Sequence, residues 1–175
     1  MAERSGTVPF HLRRRRSEDL AECDLLVAAS RDTDGYPVYL GPDPRTFLEP
    51  PGLLAAWVAE RDDGPLVGHI ALRSETVGEV IDLATPHFPA GTAFSVVARL
   101  MVAPAARRAG TGRALLELAS ADSRRRSRVP ILDVDVRLHA AIALYEAVGL
   151  RRLGRVRIRL PTGDVAEELV YAPAP

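Results

Sequence analysis

The chain has little cysteine and no excess charge of either sign. Cys23 is the single cysteine in 175 residues, so no disulfide can form within the chain. The 23 basic residues balance the 23 acidic residues, and the formal net charge is +0. Nucleic-acid binding needs an excess of positive charge over a surface, so we expect no nucleic-acid partner. The arginine clusters at 13–16 and 124–128 are interpreted as solvated faces.

Long apolar runs and metal-ligand spacings are also missing. No apolar run is long enough to span a bilayer, and Met1–Arg16 contains no apolar core of the kind that secretory signals have. We therefore expect a cytoplasmic protein that does not act at a membrane. His11, His87 and His139 show no metal-ligand spacing with one another or with Cys23, so we predict no metal site.

The residues present predict a single α/β domain over residues 1–175. Their order is β-α-α-β-β-α-β-α-β-α-β-β, which indicates a mixed sheet with helices on both faces. The predicted strands are Phe10–Arg14, Leu54–Glu60, Leu66–Arg73, Phe94–Val102, Pro130–Val136, Arg151–Leu160 and Val165–Tyr171. The predicted helices are one that Ser17 caps, Pro44–Leu48, Glu75–Leu83, Gly110–Arg126 and Leu138–Val148, with turns at Arg31–Leu40 and Asp62–Pro65.

A glycine turn in front of a helix is the clearest candidate binding site. The run R-R-A-G-T-G-R at 107–113 follows a strand that ends in V-A-P. Free backbone N–H groups and the positive end of the helix dipole make such a turn a place to hold phosphate. A dinucleotide fingerprint needs a third glycine where Leu115 stands, and a P-loop needs Lys and Ser or Thr after the last glycine. Both common nucleotide motifs are therefore excluded.

Two motifs of the chain together resemble the GNAT acetyltransferase superfamily. The first is R-x-x-G-x-G at Arg107–Gly112, preceded by R-L-M-V-A-P. The second is A-I-A-L-Y-E-A-V-G-L at 141–150, which is similar to the family's A-I-x-L-Y-E-x-x-G-F. The resemblance implies a GNAT-like α/β fold: a mixed, mostly antiparallel twisted sheet of about six to seven strands, with helices on both faces and strands splayed at the centre. It also implies acetyl-CoA as the acyl donor.

The resemblance places coenzyme A along the strand end and the glycine turn. Backbone N–H groups of Arg108–Gly112 can point at the pyrophosphate, and the glycines let the backbone approach without a Cβ clash. The arginines of the turn can add charge-assisted hydrogen bonds. The main chain of the splayed strand would contact the pantetheine arm. The predicted cofactor-binding residues are Leu100, Met101, Val102, Arg107, Arg108, Ala109, Gly110, Thr111, Gly112 and Arg113.

Tyr145 matches the family tyrosine near the acyl sulfur, so the resemblance assigns it as the catalytic acid that protonates the departing thiolate. Its alternative interpretation is a helix tyrosine that packs on the sheet. The chain departs from the family pattern at two places. Leu138 stands where many members have Asn. Ala98 and Arg99 stand where many members have, on the central strand, a glutamate that acts as the general base.

The general base is left open among His69, Glu79, Asp82 and water. His69 titrates in the useful range, but a lone strand histidine is more often structural. Glu79 and Asp82 occupy a helix beside the acceptor cleft in the family, and each also fits a solvated surface carboxylate.

The charge of the acceptor also stays open. Asp133 and Asp135 share one face of their strand and suit a cationic amine, although pairing with a neighbouring arginine explains them equally well. Arg99 would instead attract an acceptor that bears a carboxylate.

The predicted function is transfer of an acetyl group from acetyl-CoA to a primary amine of a small molecule or peptide. Direct attack in a ternary complex is expected, because Cys23 lies in an early helix far in sequence from the motif. A non-catalytic acyl-CoA-binding or sensing module with the same fold is the alternative. A homodimer is one expected state, since dimers are common among similar proteins.

Overall fold

One sheet of seven strands organises the chain, and the computed structural model describes residues 10–62 and 64–174. The strands are β1 Phe10–Arg14, β2 Leu53–Arg61, β3 Leu66–Arg73, β4 Phe94–Val102, β5 Val129–Asp135, β6 Arg151–Arg159 and β7 Val165–Ala172. Their order across the sheet is β1-β2-β3-β4-β5-β7-β6. The long apolar strand β4 is therefore central, as its sequence predicts.

Helices cover both faces of this sheet. They are α1 Leu20–Asp34, α2 Arg45–Leu48 and α3 Gly78–Ala84 on one face, and α4 Thr111–Arg125 and α5 His139–Ala147 on the other. Because successive side chains of a strand point to opposite faces of the sheet, neighbouring residues pack in different core clusters. Trp57 packs in the cluster of α4 and α5, whereas its neighbour Val58 packs with Leu20 and Phe47 of α1 and α2. Among the described residues, no helix has the length and apolar character needed to cross a membrane.

The contact between β4 and β5 is the irregular point of the sheet. Every other neighbouring pair is antiparallel, but these two strands are parallel and pair only at Phe94–Val96 with Val129–Ile131. Beyond Val96 and Ile131 the two strands no longer share a ladder. The central splay that the family resemblance implies is therefore confirmed, together with the mixed, mostly antiparallel α/β fold.

Strand β4 also carries a bulge where it leaves β5. His69 of β3 pairs with Met101, whereas Ala71 pairs with Ala98, so β4 has one extra residue in this stretch. Arg99 lies in the bulge with φ of 59°, a left-handed conformation that is uncommon for a residue other than glycine. The bulge changes the direction of the chain at the start of the splayed segment.

The start and end of α1 differ from the sequence prediction. A single 3-10 turn, Ser17–Asp19, precedes the helix. The Asp19 carboxylate accepts the Arg16 N–H at 2.6 Å, so Ser17 is not the cap. The helix also continues to Asp34, because Gly35 with φ of 69° supplies the left-handed ending. The predicted turn at Arg31–Leu40 therefore begins later than its polar composition suggests.

The other differences are small shifts at element ends. Helix α3 begins at Gly78, three residues after the predicted start. In the predicted β2–β3 turn, Asp63 lies outside the described residues.

Gly68 of β3 lets α4 lie close to the sheet. A Cβ on this residue would lie 2.8 Å from Cδ1 of Leu115 and 3.2 Å from Cγ2 of Thr111. Both side chains are buried, so neither has free space to move into. We expect Gly68→Ala to lower the free energy of unfolding by about 1–3 kcal/mol, as overpacking does. Denaturant unfolding measures it.

The matched control is Gly78→Ala, because a Cβ there meets nothing within 4 Å. Equal unfolding free energies for the two variants would contradict the close approach of α4.

Candidate active site

The gap between the diverging strands β4 and β5 is the candidate active site. On one side of the sheet it is flanked by the glycine turn before α4 and by α5. On the other side it is flanked by charged side chains of β3, β4, β5 and β7 and by the segment between α1 and α2. The chemistry of each side follows from its residues.

The turn before α4 presents backbone donors. Arg108 and Gly110 both have positive φ, 61° and 85°, which is easily adopted only by the glycine. The first helical hydrogen bond runs from the Ala114 N–H to the Gly110 carbonyl at 3.0 Å. The N–H groups of residues 111–113 come before it and have no helical acceptor. This turn is therefore suited to an anionic group.

Arg107 makes internal contacts instead of extending from the turn. Its two terminal nitrogens donate to the Asp34 carboxylate at 3.0 and 2.6 Å, and its Nε donates to the Val102 carbonyl at 3.2 Å. The side chain thus connects the end of α1 to the end of β4. A direct phosphate contact by the Arg107 guanidinium stays a prediction, and the structure gives this group a different partner.

The two other arginines of the turn are more open. Arg108 is exposed. Arg113 is also exposed, with one weak hydrogen bond to the Ala147 carbonyl at 3.4 Å and Glu117 at 3.8 Å. These two guanidiniums are therefore the side chains placed to add positive charge beside the backbone donors.

Gly112 has a packing role. A Cβ on Gly112 would lie 3.2 Å from Cδ2 of Leu144 on α5 and 3.5 Å from Cγ2 of Val102. The glycine therefore allows close contact between the first turn of α4 and α5. The interpretation from the sequence, that this glycine makes room for phosphate, stays a prediction.

Tyr145 is buried beside the gap. Its ring centroid lies 5.9 Å from that of Tyr171, in the core formed with α4. Burial raises the pKa of its hydroxyl, and the nearby Tyr36 and Asp133 raise it further. The phenol is therefore a proton donor at neutral pH, and its neighbourhood includes a carboxylate. Tyr145 thus packs on the sheet, and its role as the catalytic acid stays a prediction.

A pair of carboxyl groups faces the gap, and one of them was not found from the sequence. Burial, a hydrogen bond with Asp133 and the charge of Asp135 raise the pKa of Glu168 on β7 to about 9. A signal was present in β7: Glu168 is the charged residue in the alternating set Ala166, Glu168, Val170, Ala172, whose other members are buried.

Arg99 and Arg73 lie on the same side as the carboxyl pair. The Arg99 guanidinium stacks 4.0 Å from the Phe47 ring centroid and donates from Nε to the Phe47 carbonyl at 3.1 Å. Burial lowers the pKa of Arg73, and the charge of Arg99 lowers it further. Two guanidiniums are thus close enough to disfavour each other, and Tyr36 is buried near both.

Asp133, Glu168, Arg73 and Arg99 form a cluster of charged side chains at the gap. The three residues that the sequence offers as bases lie outside this cluster. His69 is fully buried and its Nδ1 donates to the Arg99 carbonyl at 2.9 Å, so Nε2 is the acceptor that faces Arg15 at 3.3 Å. Burial lowers its pKa to about 4. His69 therefore stabilises the β4 bulge as a neutral ring. Glu79 and Asp82 are exposed on α3.

Asp135 is engaged by Arg137. Two nitrogens of that guanidinium donate to the carboxylate at 2.8 and 2.7 Å, and the backbone N–H of Arg137 adds a third bond at 2.9 Å. Of the two aspartates that share a face of β5, Asp133 is therefore the one that faces the cluster.

A cavity of about 440 Å³ adjoins the carboxyl pair at the end of β5. Asp135 lines it and is the register partner of Glu168. Exposed Val38, Tyr39 and Val165 form part of its wall. No group of His, Cys, Asp and Glu able to hold a metal ion occurs in the described part of the chain.

The sequence matches the Acetyltransferase (GNAT) family over residues 16–150, and the chain therefore belongs to that family. The family uses acetyl-CoA as its acyl donor. A comparison with curated proteins finds no match.

Solved structures show the same fold. Arabidopsis thaliana NAA60 in complex with acetyl-CoA is similar with a TM-score of 0.69 at 20% identity, covering 94% of this chain and 97% of that chain. The Escherichia coli ribosomal-protein-S18-alanine N-acetyltransferase gives 0.64 at 19% identity, covering 94% and 93%. The Brucella melitensis ribosomal-protein-alanine N-acetyltransferase gives 0.65 at 22% identity, covering 94% and 99%. At these identities the likeness shows the fold alone.

The packing of Gly112 predicts how its replacement acts on donor binding. In Gly112→Val the added methyl groups would meet Leu144 and move the first turn of α4 away from α5. Loss of even one charge-assisted bond to phosphate weakens binding about tenfold or more. We therefore expect the dissociation constant of acetyl-CoA to rise by that factor, as measured by calorimetry on the folded protein.

Gly78→Val is the matched control, because its Cβ position is open. Unchanged acetyl-CoA affinity in a folded Gly112→Val protein would exclude the turn as the phosphate site.

Proposed function

We propose that this protein is an N-acetyltransferase that moves the acetyl group of acetyl-CoA to a primary amine by direct attack in a ternary complex. The observation that carries the proposal is the placement of Tyr145 and the Asp133–Glu168 pair at the gap between β4 and β5. A donor turn for an anion lies on one side of that gap and a charged cluster on the other.

The residues fit the donor on the side of α4. The N–H groups of Thr111, Gly112 and Arg113 are free for the pyrophosphate. Beyond Val96, the edge of β4 that faces β5 has no ladder partner, so the main chain of residues 100–102 can bind the pantetheine arm. When bound there, acetyl-CoA supplies a thioester whose carbonyl carbon is open to attack.

Tyr145 is proposed as the acid. The hydroxyl keeps its proton at neutral pH, because burial disfavours the phenolate. It can give that proton to the sulfur as the carbon–sulfur bond breaks, so the thiol leaves neutral.

The Asp133–Glu168 pair is proposed as the base. Burial and the neighbouring Asp133 raise the pKa of Glu168 to about 9, so Glu168 keeps its proton at neutral pH and loses it near the pKa of an amine. When it is ionised, Glu168 can take a proton from the acceptor ammonium, which frees the nitrogen lone pair to attack the thioester carbonyl. Water is not needed as the base in this arrangement.

An acyl-enzyme route is disfavoured by the state of Cys23. Burial raises the pKa of this thiol to about 12, so it is not a thiolate at neutral pH. It is also fully buried in the core of α1.

Tyr145→Phe tests the acid. The ring and its packing are retained while the proton is lost, so kcat should fall by about a hundredfold to ten-thousandfold. The acetyl-CoA dissociation constant should stay unchanged. The assay is release of free CoA with a panel of amines, and the chain has no lysine whose own acetylation would add to the signal. A wild-type protein that binds acetyl-CoA but releases no CoA with any amine would instead be a binding module.

Glu168→Gln tests the base through pH. Because the pair must lose its last proton before it can accept another, kcat/KM of the wild type should rise with pH and level near pH 9. In Glu168→Gln the group with the raised pKa is removed, so the rise of kcat/KM toward pH 9 should be lost. Measurements with two acceptors of different amine pKa distinguish titration of the carboxyl pair from titration of the acceptor.

Glu79→Gln is the matched control, since Glu79 is exposed on α3. If the rise of kcat/KM with pH followed only the pKa of the acceptor amine in the wild type, Glu168→Gln and Glu79→Gln, the carboxyl pair would be excluded as the base.

A further inference from the structure

Four strands contribute charged side chains to one face of the sheet at the gap. Arg73 on β3 is the register partner of Val96, and Asp133 on β5 is the register partner of Val170. Val96 and Val170 pack in one cluster with α3, and directly opposed residues share a face, so Arg73 and Asp133 lie on that face. Glu168 precedes Val170 by two residues on β7 and shares the face as well.

Arg99 completes this group from the bulge of β4. Its guanidinium is held between the Phe47 ring and carbonyl of α2, which packs on the same face. Arg73 has a single long hydrogen bond, from Nε to the Pro51 carbonyl at 3.4 Å. Within the described residues, neither guanidinium forms an ion pair with a carboxylate.

The charges of the cluster do not cancel. Burial and the neighbouring Asp133 raise the pKa of Glu168 to about 9, so Glu168 keeps its proton and adds no negative charge at neutral pH. Arg73 and Arg99 carry two positive charges. Asp135 is taken by Arg137, so the carboxylates that act on Arg73 are Asp133 and the exposed Glu75.

A half-buried guanidinium without a counter-charge is costly, and a ligand carboxylate removes that cost. We propose that the acceptor is a small amine that carries a carboxylate close to its amino group, as a free amino acid does. Arg73 and Arg99 bind the carboxylate, and the amino group faces Asp133 and Glu168. This inference rests on the proposed acetyl transfer and selects among its acceptors.

The adjoining cavity suits the rest of such an acceptor. Its volume of about 440 Å³ exceeds that of an amino-acid side chain, and its lining combines the apolar side chains of Val38, Tyr39 and Val165 with the charged side chains of Asp135, Arg137 and Asp164. An acceptor whose head group lies at Glu168 can place an apolar side chain past Asp135 into this cavity. The amino terminus of a peptide has no free carboxylate at that point, so peptides should be poorer acceptors.

Matched pairs of acceptors test the proposal. Leucine and phenylalanine are compared with their amides and with leucyl-leucinamide, by CoA release and with kcat/KM corrected for the fraction of free amine. The acids should exceed the amides and the peptide by about tenfold to a hundredfold, the range that charge-assisted hydrogen bonds give. Amides or the peptide equal to or better than the acids would overturn the inference, although the proposed acetyl transfer would then stand.

Variants of the two arginines test whether these residues cause the preference for acids over amides. Arg73→Gln and Arg99→Gln should each raise KM for the acids while leaving KM for the amides near the wild-type value. Arg124→Gln, the same change on exposed α4, should keep the preference. Arg99→Lys retains the charge in case the Gln variant fails to fold, and it should keep part of the preference. An acid-to-amide ratio that is unchanged in Arg73→Gln and in both Arg99 variants would overturn the assignment.

A binding measurement separates this inference from the proposed function. Calorimetry with leucine and phenylalanine is run on the protein saturated with CoA, so that no transfer is needed. Binding of the acids but not of their amides supports the carboxylate site even if no product forms. Acetyl-CoA binding with no binding of either acid overturns the acceptor inference and leaves the donor site intact.

Discussion

The short parallel contact between β4 and β5 is the constraint on which the site depends. Three residue pairs join the strands, and then the bulge at Arg99 turns β4 away. The bulge is held by a buried histidine, His69, that donates to the Arg99 carbonyl. Without continued pairing, the peptide groups of β4 and the side chains of β5 face open space. A single break in the ladder therefore makes both the proposed donor channel and the proposed acceptor face.

Burial determines the charge states around that break. Tyr145 keeps its proton because it is buried, and Glu168 keeps its proton because it is buried beside Asp133. The guanidinium of Arg99 is held by an aromatic ring and a carbonyl, neither of which neutralises it. The two sides of the gap thus differ in kind: backbone donors and a phenol on one side, and an unbalanced set of charged groups on the other.

Local patterns predicted much of this molecule. Strand periodicity located β4 at the bounds the structure has, and glycine and capping signals located α4 and the end of α5. The motif around Tyr145 found a residue that does lie at the gap. The partners of Arg107 and Glu168 were missed, because Asp34 is 73 residues from Arg107 and Asp133 is on a different strand from Glu168. A local sequence pattern does not indicate which residues from distant parts of the chain come into contact.

The sequence by itself determined the order of elements, the glycine turn before α4 and the family, because hydrophobic period, glycine positions and helix ends are local properties. Only the tertiary structure decided which carboxyl groups lie side by side, that His69 is a buried neutral ring and that Arg73 and Arg99 lie on one face of the sheet. Those properties depend on desolvation and on the charge of neighbours brought together from distant parts of the chain. The same residue types in another packing would have ordinary pKa values and ordinary partners.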